Sequence, residues 1–249
     1  MPSESNELPQ TGTPTIEQVF KEFLAEQEQR LKRQTLSQCR SIISLLRHSL
    51  NGYGYEGLSE EESALFDRHY NAKGDEHKEF CEVFGPEKIV PNLSYFLNFF
   101  MIRKVMMAGA ELKRAAGTVT KKLSKWLADK GYIQEEDATR GAEEGADAAR
   151  TLPVAERAAQ ILAEGGDLFF DPSDLPDEDY MEFDHYTITR IEPGKLWLEG
   201  LVTGEGLVGP ISVPRKATEL LQKDWDISCA VARIRGKWRL VEVANVYPH

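Results

Sequence analysis

Apolar positions recur every three to four residues from Ile16 to about Leu162 and every second residue from Tyr186 onward, so the spacing predicts helices first and strands afterwards. Ile16, Val19, Phe20, Phe23 and Leu24 form the first stripe, behind a capping box of Thr15 and Gln18, and predict a helix over 16–32. Ile42, Ile43, Leu45, Leu46 and Leu50 form a second, over 36–50, that ends at Asn51-Gly52 and packs on the first as a hairpin. Ser59 with Glu62 opens a further helix to about Tyr70, and 74–87 reads as a short helix with loops. After Pro91, Leu93, Phe96, Leu97, Phe100, Met101 and Val105 predict a long apolar helix over 92–108 at the centre of the domain. Between 112 and 133, Val119, Leu123, Trp126 and Leu127 fall on one face and Lys121, Lys122 and Lys125 on the other. Thr118 or Thr120 is the expected N-cap of that helix, and Gly131 its left-handed C-cap.

From Gln134 to Ala149 the chain is acidic and small, which reads as a frayed helix or a linker, and Pro153 is placed in the first turn of one more helix to about Glu164. Asp171, Asp174, Asp177, Glu178, Asp179, Glu182 and Asp184 follow with no basic residue among them, a pattern that matches no calcium loop and reads as a solvated linker. Five strand-like runs come next, starting at Tyr186, Lys195, Leu207, Ile227 and Lys237, with turns at Pro193-Gly194 and Gly236 and a helical stretch over 216–222 between the third and fourth. That element order is the order of an OB-fold, with an SH3-like barrel close behind. The expected fold is therefore α+β in two domains: a disordered tail (1–14), an all-α domain (15–133), an acidic linker with one helix (134–185) and a small five-stranded β-barrel (186–249).

Charge changes this picture. The chain carries a formal net charge of -11, yet Arg103, Lys104, Lys113, Arg114, Lys121, Lys122, Lys125 and Lys130 meet only Glu111 and Asp129 between 103 and 130. The stretch 30–50 carries Arg30, Lys32, Arg33, Arg40 and Arg47 and no acid. Two basic helices in an acidic protein point to an anionic partner, a long polyanion first of all; the competing reading is that these charges only solvate outer helix faces. On the barrel, Trp197, Trp238, Arg233, Arg235 and Arg239 are candidates for stacking on bases and pairing with phosphates.

Other chemistry is thinly represented. Cys39, Cys81 and Cys229 form no C-x-x-C pair, so neither a disulfide framework nor a closed zinc site is expected, and His77 with Cys81 lacks enough partners for a metal. Gly52, Gly54 and Gly57, and again Gly204, Gly206 and Gly209, match G-x-G-x-x-G in spacing but not in context, and both read as turns. No apolar run is long enough for a membrane span and no signal segment opens the chain, so a cytoplasmic protein without membrane contact and without a cofactor is expected.

The helices Thr15-Ile-Glu-Gln-Val-Phe-Lys-Glu-Phe-Leu, Thr35-Leu-Ser-Gln-Cys-Arg-Ser-Ile-Ile and Thr118-Val-Thr-Lys-Lys-Leu-Ser-Lys-Trp-Leu, with Gly131-Tyr-Ile, together resemble the SAM-like core-binding domain of phage integrases and other tyrosine recombinases over about 15–133. The 56–90 stretch looks like an insertion relative to that family. The resemblance implies a DNA clamp, with Arg33, Arg40, Lys121, Lys122 and Lys125 on phosphate. The family's catalytic domain does not follow: His185 has Ile188 where an arginine is needed, and Tyr247 stands next to the end of the given sequence. The 116–133 stretch also looks like the recognition helix of a winged-helix regulator. The expected function is a non-catalytic nucleic-acid-binding protein, DNA before RNA, with Lys113 and Arg114 added to the helical set. The alternatives are a protein-interaction scaffold and, third, a hydrolase built on the carboxylates of 171–184.

Overall fold

The structure is a computed structural model that describes residues 13–105, 109–165, 173, 175–200 and 206–248. Two compact units are present, one of Met1–Phe96 with Thr118–Gly145 and the other of Leu97–Gly117 with Ala146–His249. The expected disordered tail lies almost wholly outside the described residues.

In the first unit, α1 (Ile16–Arg30) starts at the Thr15–Gln18 capping box as expected, and α2 (Arg33–Tyr53) follows it. Ile16, Val19, Phe20 and Phe23 of α1 and Leu36, Ile42, Ile43, Leu46 and Leu50 of α2 are buried, as their spacing requires. The second capping box, Ser59 with Glu62, opens α3 (Glu60–Tyr70). The stretch 74–87 yields 3-10 turns and the single turn α4 (Phe80–Val83), whose Phe80 packs on Phe66 and Phe84.

The long apolar helix expected over 92–108 takes another form. A single α-turn, α5 (Leu93–Tyr95), passes into a π-helical segment, Phe96–Lys104, and 106–108 lie outside the described residues. Its apolar side chains are buried nonetheless, Leu93, Phe96, Leu97, Phe100 and Met101 among them. Apolar spacing reports burial, and it does not separate an i→i−4 ladder from a wider one.

The basic helix α6 runs Ala110–Asp129, so Thr118 and Thr120 are interior positions rather than N-caps. Gly131 does adopt the left-handed conformation, with φ of 72°. The larger correction concerns 134–164, which is one helix, α7 (Glu135–Glu164), with Pro153 in its interior. Its small residues are its packing face: Ala138, Gly141, Ala142, Gly145, Ala148, Leu152, Ala155, Ala159 and Leu162 are all buried at three-to-four spacing. A β-carbon on Gly141 would stand 2.5 Å from the Ser124 hydroxyl of α6, so the glycine permits the close approach of the two helices.

The second unit is built on β1 (Tyr180–Glu192), β2 (Lys195–Gly200), β3 (Val208–Ser212), β4 (Asp226–Ile234) and β5 (Lys237–Tyr247). The strands pair in the ring β1-β2-β3-β5-β4, with β4 returning to β1 and the mixed sheet closing on itself. All pairs are antiparallel except β3 with β5. A four-residue helix, α8 (Arg215–Thr218), lies between β3 and β4. Ile188, Leu196, Leu198, Ile211, Ile227, Cys229, Val231, Leu240 and Val246 fill the interior, joined by Ala155, Ala158, Ala159 and Leu162 of α7. The alanine-rich end of α7 thus belongs to the barrel core rather than to a linker. β1 also begins six residues before the expected start, inside the acidic run, because Met181 and Tyr186 have interior places to fill.

Candidate nucleic-acid interface

The apolar phase of α6 determines where its lysines stand. Val119, Leu123, Trp126 and Leu127 are buried, and Lys121, Lys122 and Lys125 are exposed on the opposite side. Trp126 sets the rotation of the helix: its ring meets Phe23 edge-on at 5.3 Å, and its indole N–H donates to Glu26 at 2.9 Å. Nearby, the Tyr132 hydroxyl donates to Glu22 at 2.6 Å, and the Lys130 ammonium bridges Glu22 and Glu26 at 2.8 and 2.5 Å. The hydrogen bonds from Lys130, and then those from Tyr132 and Trp126, hold both carboxyls below the usual range. The two carboxylates in turn raise Lys130 and thereby keep it charged. Lys130 is therefore spent on tethering α6 to α1.

The three outward lysines are placed differently. Among the described residues, no carboxylate lies within 4 Å of Lys121, Lys122, Lys125 or Arg33. Arg33 is exposed at the first position of α2. Arg40 pairs with Glu28 at 2.9 Å, with both side chains half exposed, a class of ion pair worth about 0–1 kcal/mol and easily exchanged. Cys39 of α2 is buried, which pushes its thiol pKa up, and the Lys122 charge works against that shift.

Lys113 is a correction. It is only 4% exposed and its ammonium is bonded to Glu156 of α7, so it is a buried ion pair of the second unit and offers nothing to a surface ligand. Its phase explains this, since Lys113 shares the inward face of α6 with Ala116, Thr120 and Leu123. Arg114, the next residue, is exposed.

The barrel candidates divide. Trp238 turns toward the core and packs against it. Arg233 lies 5.9 Å from the Trp238 ring and is bonded to Asp179 at 2.6 Å, so it is already neutralised by one carboxylate of the acidic run. Arg235 occupies the β4–β5 turn with φ of 51°, followed by Gly236 at 74°. Trp197 points outward from β2, and Arg239 is exposed on β5 across Ser212 from Lys195. Two residues of this face escape notice in the sequence. Arg190 of β1 is the cross-strand partner of Trp197, stacks its guanidinium 4.5 Å from the ring centroid and is ion-paired with Glu192, and Lys195 is exposed two residues before Trp197 on β2. Counting back from the Pro193-Gly194 turn reaches Arg190 directly, since Glu192 pairs with Lys195 and Ile191 with Leu196, and the bulge comes only beyond it, between Ile188 and Arg190. Behind Trp197 lies Gly209 of β3, with φ of 153°, where a β-carbon would approach the indole to 2.6 Å. Gly209 is thus a strand residue, not the turn expected of it; Gly204 lies outside the described residues.

Of the acidic run, Asp171 and Asp174 lie outside the described residues, Asp177–Asp179 form a 3-10 turn, and Glu182 and Asp184 sit on β1. The Asp184 carboxylate accepts the N–H of His185 at 2.7 Å. His77 is turned to the Tyr70 carbonyl at 2.7 Å, and Cys81 is buried with its thiol pKa pushed up by that burial. No helix among the described residues is long and apolar enough to cross a membrane. No protein-family model matches the chain, and a search of curated proteins finds no significant match.

Proposed function

We propose that this chain is a non-catalytic nucleic-acid-binding protein that favours DNA and acts in the cytosol. The observation that carries this reading is the row of Lys121, Lys122 and Lys125 on α6, exposed and without a carboxylate within 4 Å among the described residues. Held apart from carboxylates in a chain of net charge -11, these three ammonium groups are open to an anionic partner. Arg33 and Arg40, exposed on α2 of the same unit, are further candidates for phosphate, in keeping with a helical unit of core-binding type. Contacts of this kind hold phosphate and set position; they do not read bases.

The barrel supports the same reading in its own unit. We take it as OB-like rather than SH3-like, on the ring order β1-β2-β3-β5-β4, the parallel β3–β5 pair and the helix between β3 and β4. Trp197, with Lys195 and Arg239 alongside, combines an aromatic surface with positive charge, which suits single strands, and the exposed Arg190 pairs with Glu192 in a surface contact of the easily exchanged kind. The competing reading, a scaffold for protein partners, draws support from the overall negative charge.

Electrophoretic mobility shifts with duplex and single-stranded DNA test the proposal. The full chain is expected to retard both, and reversing Lys121, Lys122 and Lys125 to glutamate is expected to weaken duplex binding by at least about tenfold. Unchanged retardation in that variant, or none with the wild-type chain, would overturn it.

A further inference from the structure

The first unit contains a cavity of about 330 Å3 between the end of α2, the following 3-10 turn and α3. Asn51, Gly52, Tyr55, Phe66, Asp67 and Tyr70 supply its distinctive chemistry. The volume falls at the small end of what ligand pockets occupy. Three aromatic rings run along it. Phe66 is 6% exposed and forms the floor; Tyr55 and Tyr70 flank it at 47% and 46%. The Tyr55 and Phe66 rings are nearly parallel with centroids 6.4 Å apart, and the Tyr70 ring lies 5.3 Å from Phe66. Two large rings left half in water beside a buried third form a continuous aromatic surface that packing alone leaves uncovered.

Asp67 gives the cavity lining its charge. Asp67 is the ionisable residue lining the cavity, and among the described residues no lysine, arginine or histidine nitrogen lies within 4 Å of its carboxylate. Glu56 lies in the segment that joins Tyr55 to α3, and Glu60, Glu61 and Glu62 form the first turn of α3, where Glu62 pairs with Lys88 at 2.6 Å. An anion has no partner here, and a neutral apolar ligand gains nothing from Asp67. Aromatic faces beside an unpaired carboxylate suit a soft, weakly hydrated cation, which the rings attract through their quadrupoles and the carboxylate through its charge. The far wall is fixed, because the Asn51 side-chain oxygen accepts the Cys81 N–H at 3.0 Å.

We propose that this cavity binds an alkylated ammonium head group, held on the faces of Tyr55, Phe66 and Tyr70 and neutralised by Asp67. The site is separate from the lysine row and does not depend on nucleic-acid binding. The free molecule and the side chain of a trimethylated lysine present the same head group.

The test is a titration of the full-length protein with choline, followed by calorimetry and by the tyrosine resonances. Its control is 3,3-dimethylbutan-1-ol, which has the same shape without the charge. Choline is expected to bind about tenfold more tightly than the alcohol. Asp67→Asn and Tyr70→Ala are each expected to weaken it by about tenfold. Gly52→Leu is the decisive variant. Gly52 lines the cavity, no atom lies within 4 Å of the place where its β-carbon would stand, and the position is helical, so a leucine rotamer turned over the cavity obstructs it without altering a ring or Asp67. Loss of choline binding in a folded Gly52→Leu chain supports the site. A short Gly/Ser peptide with one trimethyllysine distinguishes the sources: tighter binding than choline assigns the head group to a protein side chain, and equal or weaker binding assigns it to a free small molecule. Equal affinity for choline and the alcohol, unmoved tyrosine resonances in the wild-type chain, or undiminished binding in Gly52→Leu would overturn the proposal.

Discussion

At the residue scale, Lys113 and Gly209 show how local environment decides what a side chain type means. Lys113 is a lysine in a basic stretch, but its helix phase turns it inward to Glu156, and there its charge is a structural obligation. Removing one partner strands the other charge away from water, so Lys113→Ala is expected to cost about 3 kcal/mol in denaturant unfolding, with DNA affinity of the folded protein unchanged. A loss below about 0.5 kcal/mol would mean that the pair is solvated. Gly209 is constrained twice, by its positive φ and by the indole of Trp197 pressed against it. Gly209→Ala is expected to lower stability by about 1–3 kcal/mol and to shift tryptophan fluorescence as Trp197 moves. Fluorescence and stability identical to wild type would contradict that packing.

Glu22 and Glu26 give the residue scale its pH dependence. Both carboxyls are held below their unfolded values, chiefly by hydrogen bonds from Lys130. A group depressed on folding stabilises the protein above its unfolded pKa and stops doing so as pH falls through the folded value. The tether from α1 to Trp126 and Tyr132 is therefore expected to be intact near neutrality and to fail only as the pH falls below the ordinary glutamate range, seen as a change in Trp126 environment on acid titration. Glu22→Gln with Glu26→Gln should remove that acid limb. An acid titration identical in the double variant would show that other groups govern it.

At the element scale, the parts of the fold legible in the sequence were those where large apolar side chains or capping chemistry set the pattern. Thr15, Ser59 and Gly131 marked helix ends, and the alternation from Tyr186 marked the strands, because each feature acts through its own neighbours. Helix α7 was legible only in its second half, from Pro153 to Glu164, and was left between a frayed helix and a linker before that, because much of its packing face is alanine and glycine. These carry little hydrophobic signal, and the acids between them resemble a linker. The stripe from Ala138 to Leu162 was nonetheless present at helical spacing, so composition obscured what periodicity held. Gly141 and Gly52 make a test of that packing. Gly141→Ala places a β-carbon against Ser124 and is expected to destabilise by about 1–2 kcal/mol. Gly52→Ala meets open space in a helix and is expected to stabilise by up to about 1 kcal/mol. Thermal melts of the two variants that shift in the same direction would contradict the close contact at Gly141.

At the scale of the whole molecule, charge distribution matters more than total charge. The net value of -11 conceals one helix face with three lysines and a strand face with Arg190, Lys195 and Arg239, each in its own unit. The lysine face was legible because helical phase separates Lys121, Lys122 and Lys125 from the buried stripe. The strand face was half legible: Trp197 and Arg239 could be named, whereas Arg190 comes opposite Trp197 only through the pairing of β1 with β2, which has to be counted back from the Pro193-Gly194 turn. Arg233 was overestimated for the converse reason, since its partner Asp179 lies far away in sequence. The most direct measurement is the salt dependence of duplex DNA affinity for the wild-type chain and for the chain with Lys121, Lys122 and Lys125 reversed to glutamate. Phosphate contacts from those three side chains predict a steep fall with added salt for the wild type and a log–log slope shallower by about 3 in the variant. Affinity indifferent to salt, or the same slope in both chains, would contradict a phosphate-holding face on α6.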